Sequence, residues 1–91
     1  MDKSALLLAE LNIAVQAALD GDWEKSHNIA QDYSDPTANW IHAVLHKIEG
    51  DVWNSQYWYA RTSGLSSGGK KYEDFTEARD ELLAILQYLN T

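Results

Sequence analysis

Apolar residues recur along the chain with the spacing of one helical face. Near the N-terminus they lie three and four positions apart, as in an amphipathic helix. This pattern predicts a first helix over about residues 4–19, capped by Asp2 or Ser4 and ended by Gly21. No segment of the sequence shows the sustained alternation that is typical of a half-buried strand. The sequence therefore predicts an all-α fold.

Four more helices follow from the same criteria of apolar spacing, caps and breakers. A short second helix is predicted over about residues 23–33, and Asp35-Pro36 ends it. The third, over about residues 37–49, has apolar residues around more than half of its circumference, which indicates packing on two sides. The last two are predicted over about residues 52–63 and 72–89, with a flexible loop over residues 62–71 between them.

Two stretches of the chain are versions of one another, since residues 11–33 match residues 40–62 in a register shifted by 29 positions. A repeat of this length is typical of helix–turn–helix units that bury their apolar faces by stacking on a neighbour. We therefore expect one domain over residues 1–91, with hairpins at about 4–33 and 37–63 and a capping helix at about 72–89. The identical pairs are Ala14 and Ala43, Val15 and Val44, Gly21 and Gly50, Asp22 and Asp51, and Ser26 and Ser55.

The turns at Gly21-Asp22 and Gly50-Asp51 resemble the middle of a tetratricopeptide repeat, in which helix A ends at Gly-Asp and helix B opens with an aromatic residue. In the second copy, Asp-Pro before Trp40 and Trp58-Tyr59 before Arg61 also look like that pattern. The resemblance covers about residues 5–62. It implies a right-handed stack of hairpins that binds extended peptides or other helices in a groove. The run HAVLHKIEGDVWNSQYWYAR is also similar to a family of short bacterial and fungal proteins of unknown activity.

The chain departs from the tetratricopeptide pattern in period, with 29 residues in place of about 34, and in two positions of the third helix. Where the repeat has a large apolar and an aromatic residue, the first copy has Ile13 and Ala17, and the second has His42 and His46. Departures from a local pattern tend to concentrate at functional sites. The second copy is therefore where we expect a site.

His42, His46 and Glu49 lie at i, i+4 and i+7, so they project from one side of the third helix. Two imidazoles at i and i+4 are a metal-ligand geometry, and a carboxylate one turn later is a candidate third ligand. The three residues are thus a candidate ligand-binding or metal-binding pocket. The alternative is a packing network, in which half-buried histidines bond a hydroxyl of Ser55 or Tyr59, or a carboxylate.

A second candidate surface lies on the fourth helix, where four residues share a face at i, i+3, i+4 and i+7. Tyrosine, tryptophan and arginine are enriched at the energetic centres of protein interfaces. Either the last helix covers this face or it is a surface for a partner. The four residues are Asn54, Tyr57, Trp58 and Arg61.

Two other features have simpler explanations. Residues 64–71, GLSSGGKK, differ by one residue from a phosphate-binding loop. Lys71 replaces the hydroxyl that such a loop needs for magnesium, and a helix is predicted where a strand should precede it. We therefore expect a mobile linker with two solvated lysines. His27, on the polar second helix, is expected to be a surface or flank residue.

Charge and composition narrow the functions. The net charge of −7 argues against nucleic acid and anionic membrane surfaces as partners. The chain has no cysteine, which excludes disulfides and thiolate metal sites and favours a cytoplasmic location. The N-terminal helix carries Glu10 and is too broken for a signal peptide or a membrane span.

The function we expect from these features is that of a protein–protein interaction or self-association module. Its partner would be a protein or peptide, which includes a second copy of the same chain. The alternative is a ligand, metal or enzymatic pocket centred on His42, His46 and Glu49. We predict no catalytic residue and no cofactor.

Overall fold

The computed structural model describes residues 3–91, and within them it is all-α, as predicted. The predicted cap Asp2 lies outside the described residues. The five α-helices in this range match the predicted number, and one short 3₁₀ turn, Tyr72–Asp74, precedes the last of them. The helices are α1 (Lys3–Leu19), α2 (Trp23–Ala30), α3 (Pro36–Ile48), α4 (Val52–Tyr59) and α5 (Ala78–Leu89).

The Gly-Asp pairs of the repeat form both inter-helix turns within the hairpins. Gly21 and Gly50 have φ angles of 85° and 82°, in the left-handed region that favours glycine. Asp22 and Asp51 then cap α2 and α4, because each carboxylate accepts a backbone N–H three residues on. Asp35 caps α3 in the same way. The repeat therefore preserves the residues that make a tight turn between two helices.

Three helices are shorter than the sequence predicts. α2 and α4 end at Ala30 and Tyr59 because each last turn tightens into i→i+3 bonds, such as the bond from Tyr33 N to Ala30 O. The predicted start of the last helix at residue 72 is wrong, since α5 begins at Ala78. The carbonyl oxygens of residues 72 and 75 instead accept hydrogen bonds from the Lys47 ammonium, at 2.7 and 2.9 Å. This tertiary contact replaces the first turns of the predicted helix.

Helix α3 lies at the centre of the fold, as its wide apolar face predicts. It packs on α4 within the second hairpin, on α1 and α2 of the first hairpin, and on α5. Helix α5 contacts both α1 and α3, the first helix of each hairpin, and Asn90 bonds Asn12 across that contact. The buried apolar residues of α3 are Ala38, Trp40, Ile41, Ala43, Val44 and Leu45.

A buried ion pair and the hydrogen bonds around it join three helices in the core. Glu81 of α5 is fully buried, and its carboxylate accepts hydrogen bonds from the Lys47 ammonium at 3.1 Å and the Trp40 indole at 2.8 Å. The Tyr59 hydroxyl donates a third, at 2.7 Å. Burial, and then this bond to Glu81, raise the pKa of Tyr59 above its usual range. The network ties α5 to the second hairpin.

The loop before α5 is anchored by two buried residues. Leu65 belongs to the core, and Thr62 accepts the backbone N–H of Lys70 at 2.7 Å. Lys70 is half-buried over the Trp40 ring and is not the fully solvated lysine that the composition predicts. No strand precedes this loop in residues 3–91, so the phosphate-loop likeness stops at the sequence. None of the described helices is long and apolar enough to cross a membrane.

Candidate functional site

Three imidazole rings meet between α2 and α3. His42 and His46 lie one turn apart on α3, with their rings stacked at a centroid distance of 4.9 Å. His27 reaches them from α2, and its Nε2 atom lies 3.0 Å from Nε2 of His42. One nitrogen atom from each of the three residues lies within 4.8 Å of the other two. We call these three residues the histidine cluster.

Two tryptophans hold the histidine cluster in place. Trp23, at the start of α2, donates its indole N–H to the carbonyl of Leu45 at 2.7 Å and so fastens α2 to α3. Its ring stacks on His27 at 4.7 Å. Trp58 of α4 stacks on His42 from the other side at 4.0 Å. The indoles cover the cluster, which leaves only 6% of His42 and 7% of His46 exposed.

Glu49 orients one ring of the cluster. Its Oε1 atom lies 2.6 Å from Nδ1 of His46, and because a carboxylate accepts, the hydrogen in this bond belongs to Nδ1. In the neutral ring, Nε2 of His46 then carries a free lone pair. Glu49 itself is exposed. The carboxylate therefore holds the ring in one tautomer from the solvent side.

The environment favours the uncharged form of the other two rings. Burial, followed by the neighbouring His27 and His46, lowers the pKa of His42 to about 4. Burial and His46 also lower the pKa of His27, although Glu49 opposes this shift. Both imidazoles are thus neutral near pH 7, which is the form that binds a metal ion.

Acid is expected to destabilise the protein through His42. Its pKa is about 4 in the folded protein and 6.5 in an unfolded chain, so between these values the unfolded chain binds a proton that the folded protein does not. The free energy of unfolding therefore has its full value above pH 6.5. It decreases as the pH falls, by about 3 kcal/mol near pH 4. Urea unfolding at pH 7 and pH 4 measures it, with His42→Gln as the comparison. An equal loss in both proteins, or an NMR pKa near 6.5 for His42, would contradict the expectation.

The structure brings His42, His46 and Glu49 together and adds a residue that the sequence analysis missed. The sequence analysis expects His27 at the surface or on a flank, and the structure has it half-buried. Its contact with His42 is what the polar surroundings do not predict. Its spacing of i+4 from Trp23 was an available signal, because the two share a face of α2. The predicted hydroxyl partners lie elsewhere, since Ser55 donates to the carbonyl of residue 43 and Tyr59 to the carboxylate of residue 81.

The four residues predicted to share a face of the fourth helix have different surroundings, and Arg61 lies just beyond the end of α4. Trp58 stacks on His42, whereas the Arg61 guanidinium lies over the Tyr57 ring at 3.7 Å. We call the surface formed by Trp53, Tyr57 and Arg61 the outer face of α4. The Asn54 amide bonds the capping carboxylate of its own helix. Trp53, which the sequence analysis did not single out, is 81% exposed and lines a shallow cleft with Tyr57. Helix α5 reaches α4 on the Tyr59 side, so it leaves this outer face open.

No protein-family model, curated protein or solved structure matches the chain. The tetratricopeptide resemblance stays a prediction.

Proposed function

We propose that the protein binds a divalent transition-metal ion through His27, His42 and His46. The observation that carries the proposal is the convergence of three imidazole nitrogens from two helices within 4.8 Å of one another. Two nitrogens on a tetrahedral zinc ion lie about 3.3 Å apart, given zinc–nitrogen bonds of about 2.0–2.1 Å. The separation of 3.0 Å between Nε2 of His27 and Nε2 of His42 is close to that spacing.

The bond between Glu49 and His46 supports the same proposal. Metal-binding histidines commonly donate their second ring N–H to a carboxylate, which fixes the tautomer and raises the basicity of the ligating nitrogen. Glu49 makes this contact with His46. We therefore propose that Glu49 orients His46 and is not the third ligand that the sequence suggested. His27 is the third ligand in its place. Imidazole ligands suit zinc, copper, nickel and cobalt.

The competing explanation is packing alone. In that case one hydrogen bond joins the rings of His27 and His42. The neutral imidazoles otherwise only fill the space between two indoles. Burying polar rings without partners costs free energy relative to apolar residues of similar size. Packing alone thus predicts that apolar replacements at His42 and His46 stabilise the fold and remove no binding.

Metal titration of the untagged protein tests the proposal. We expect one Zn²⁺ or Co²⁺ per chain by calorimetry, and a loss of at least about 100-fold in affinity for alanine at His27, because three ligands become two. Asn28→Ala, at the exposed position next to His27, is the matched control and should bind as the wild type does. Absence of binding, or equal affinity in His27→Ala, would refute the metal site. A His42→Leu/His46→Leu variant that is more stable and binds metal as before would establish packing.

A second candidate function is self-association through the outer face of α4. It rests on the exposure of Trp53 beside Tyr57 and Arg61, a combination enriched at interface centres. Helix α5 lies against α1 and α3, so the space between the first helices of the hairpins is occupied. This favours the outer face of α4 over an inner groove as the contact surface.

Sedimentation velocity tests self-association over a range of protein concentrations. We expect a dimer whose dissociation constant rises at least about tenfold in Trp53→Ser, because a central aromatic residue contributes about 1.4 kcal/mol or more. Leu83→Ser, at an exposed apolar position of α5, is the control. A wild-type monomer at several hundred micromolar would eliminate this candidate.

Composition bears on the type of partner and on the location of the protein. A chain with a net charge of −7 favours basic protein segments over nucleic acid. A cysteine-free sequence fits a cytoplasmic location.

A further inference from the structure

The histidine cluster is one ligand short of a closed transition-metal site. Structural zinc sites are surrounded by four protein ligands, whereas sites that exchange or activate a ligand have three and an open position. The chain contains three histidines and no cysteine. Within the described residues, the group formed by His27, His42 and His46 includes no aspartate or glutamate that lies within 4.8 Å of all three.

The two nearest carboxylates are engaged elsewhere. Glu49 and Asp51 form a separate group with His46, and Glu49 contacts Nδ1, the nitrogen that diverges from Nε2 across the ring. Asp51 accepts both the backbone N–H and the side-chain amide of Asn54 at the start of α4. Moving Asp51 to a metal would therefore cost α4 its cap.

The two indoles that flank the cluster supply no ligand atom. Trp23 and Trp58 present ring faces, and an indole nitrogen is a donor only. The Trp23 N–H is already bonded to the carbonyl of Leu45. His27 is the least buried of the three ligands, so the approach from solvent lies on its side.

We propose that the bound ion takes an exogenous fourth ligand, which is water or a small anion such as a carboxylate. The inference rests on the proposed metal site. Three imidazole ligands carry no negative charge, and the nearest carboxylates, Glu49 and Asp51, are engaged by groups other than the ion. A bound divalent cation is then the largest local charge in the site. This charge favours an anion. The near-complete burial of His42 and His46 restricts that anion to a few atoms.

The cobalt protein provides the test, because the visible spectrum of Co²⁺ reports its ligands. We expect azide or acetate to change the spectrum with saturation at one anion per chain, while one cobalt stays bound. A spectrum that does not respond to either anion would overturn the open position but not the metal site. If cobalt does not bind at all, the proposed function itself fails.

A pair of matched variants tests the remaining source of a protein ligand. Asp22 and Asp51 are equivalent caps in the two copies of the repeat, and only Asp51 lies near His46. We expect Asp22→Asn and Asp51→Asn to leave the cobalt spectrum and its anion response as in the wild type. A changed spectrum in Asp51→Asn alone would show that this carboxylate closes the site, and would overturn the proposal.

Discussion

Replacement of Lys47 by methionine is expected to lower the free energy of unfolding by about 3–5 kcal/mol, because it leaves the Glu81 carboxylate buried without its cationic partner. Glu81 is fully buried, and its other partners, Trp40 and Tyr59, are neutral donors. The Lys47 ammonium also bonds two carbonyls of the segment before α5. A domain of this size has a total stability of about 5–15 kcal/mol, so the variant should lose a large fraction of it.

Urea unfolding followed by circular dichroism measures this loss. Lys25→Met, at an exposed lysine of α2, is the control for removing a positive charge, and it should change stability by less than about 0.5 kcal/mol. The double variant Lys47→Met/Glu81→Gln should recover part of the loss, because it leaves no buried charge without a partner. A loss below about 1 kcal/mol in Lys47→Met would mean that the pair is solvated in solution.

Zinc at about one hundred times its dissociation constant should raise the melting temperature by about 10–20 °C. Binding to the folded state alone adds about 2.7 kcal/mol at that concentration, and 1 kcal/mol corresponds to about 4–8 °C in a domain of this size. The physical cause is that the ion joins α2 to α3 through His27, His42 and His46, an arrangement that the unfolded chain does not present.

Differential scanning calorimetry with and without zinc gives the shift directly, and a chelator should reverse it. His27→Ala should remove most of the stabilisation while retaining His42 and His46 on α3. Asn28→Ala should retain all of it. An equal shift in His27→Ala would show that the stabilising zinc ion binds elsewhere and not at the histidine cluster.

The secondary structure could be read from the sequence because its signals are local. The Gly-Asp turns, the aspartate caps and the apolar spacing act over three or four residues, and the corresponding helices begin where they were predicted within one residue. The exception is informative. The start of α5 was misplaced because residues 72 and 75 bond Lys47, which is distant in sequence. No local pattern reports such a contact.

Three of the four residues of the candidate site could be predicted in the same way. His42, His46 and Glu49 lie on one helix, so helical periodicity alone places them together. His27 lies on a different helix, and in the sequence it is a single polar residue within a polar segment. Its contact with His42 depends on how α2 packs against α3, which is fixed by the bond from Trp23 to Leu45 and by ring stacking.

The apolar core could be predicted from the sequence, whereas the buried charge could not. The spacing of apolar residues identifies the core positions of α3, because burial of such residues is nearly independent of their partners. Glu81 is as fully buried as they are, yet a carboxylate is buried only where donors such as Lys47, Trp40 and Tyr59 meet it. Those donors come from two other helices. The sequence alone thus determined the helices, their caps and the repeat. Tertiary packing decided the place of His27 in the histidine cluster and the buried ion pair, since each depends on groups that only folding brings within bonding distance.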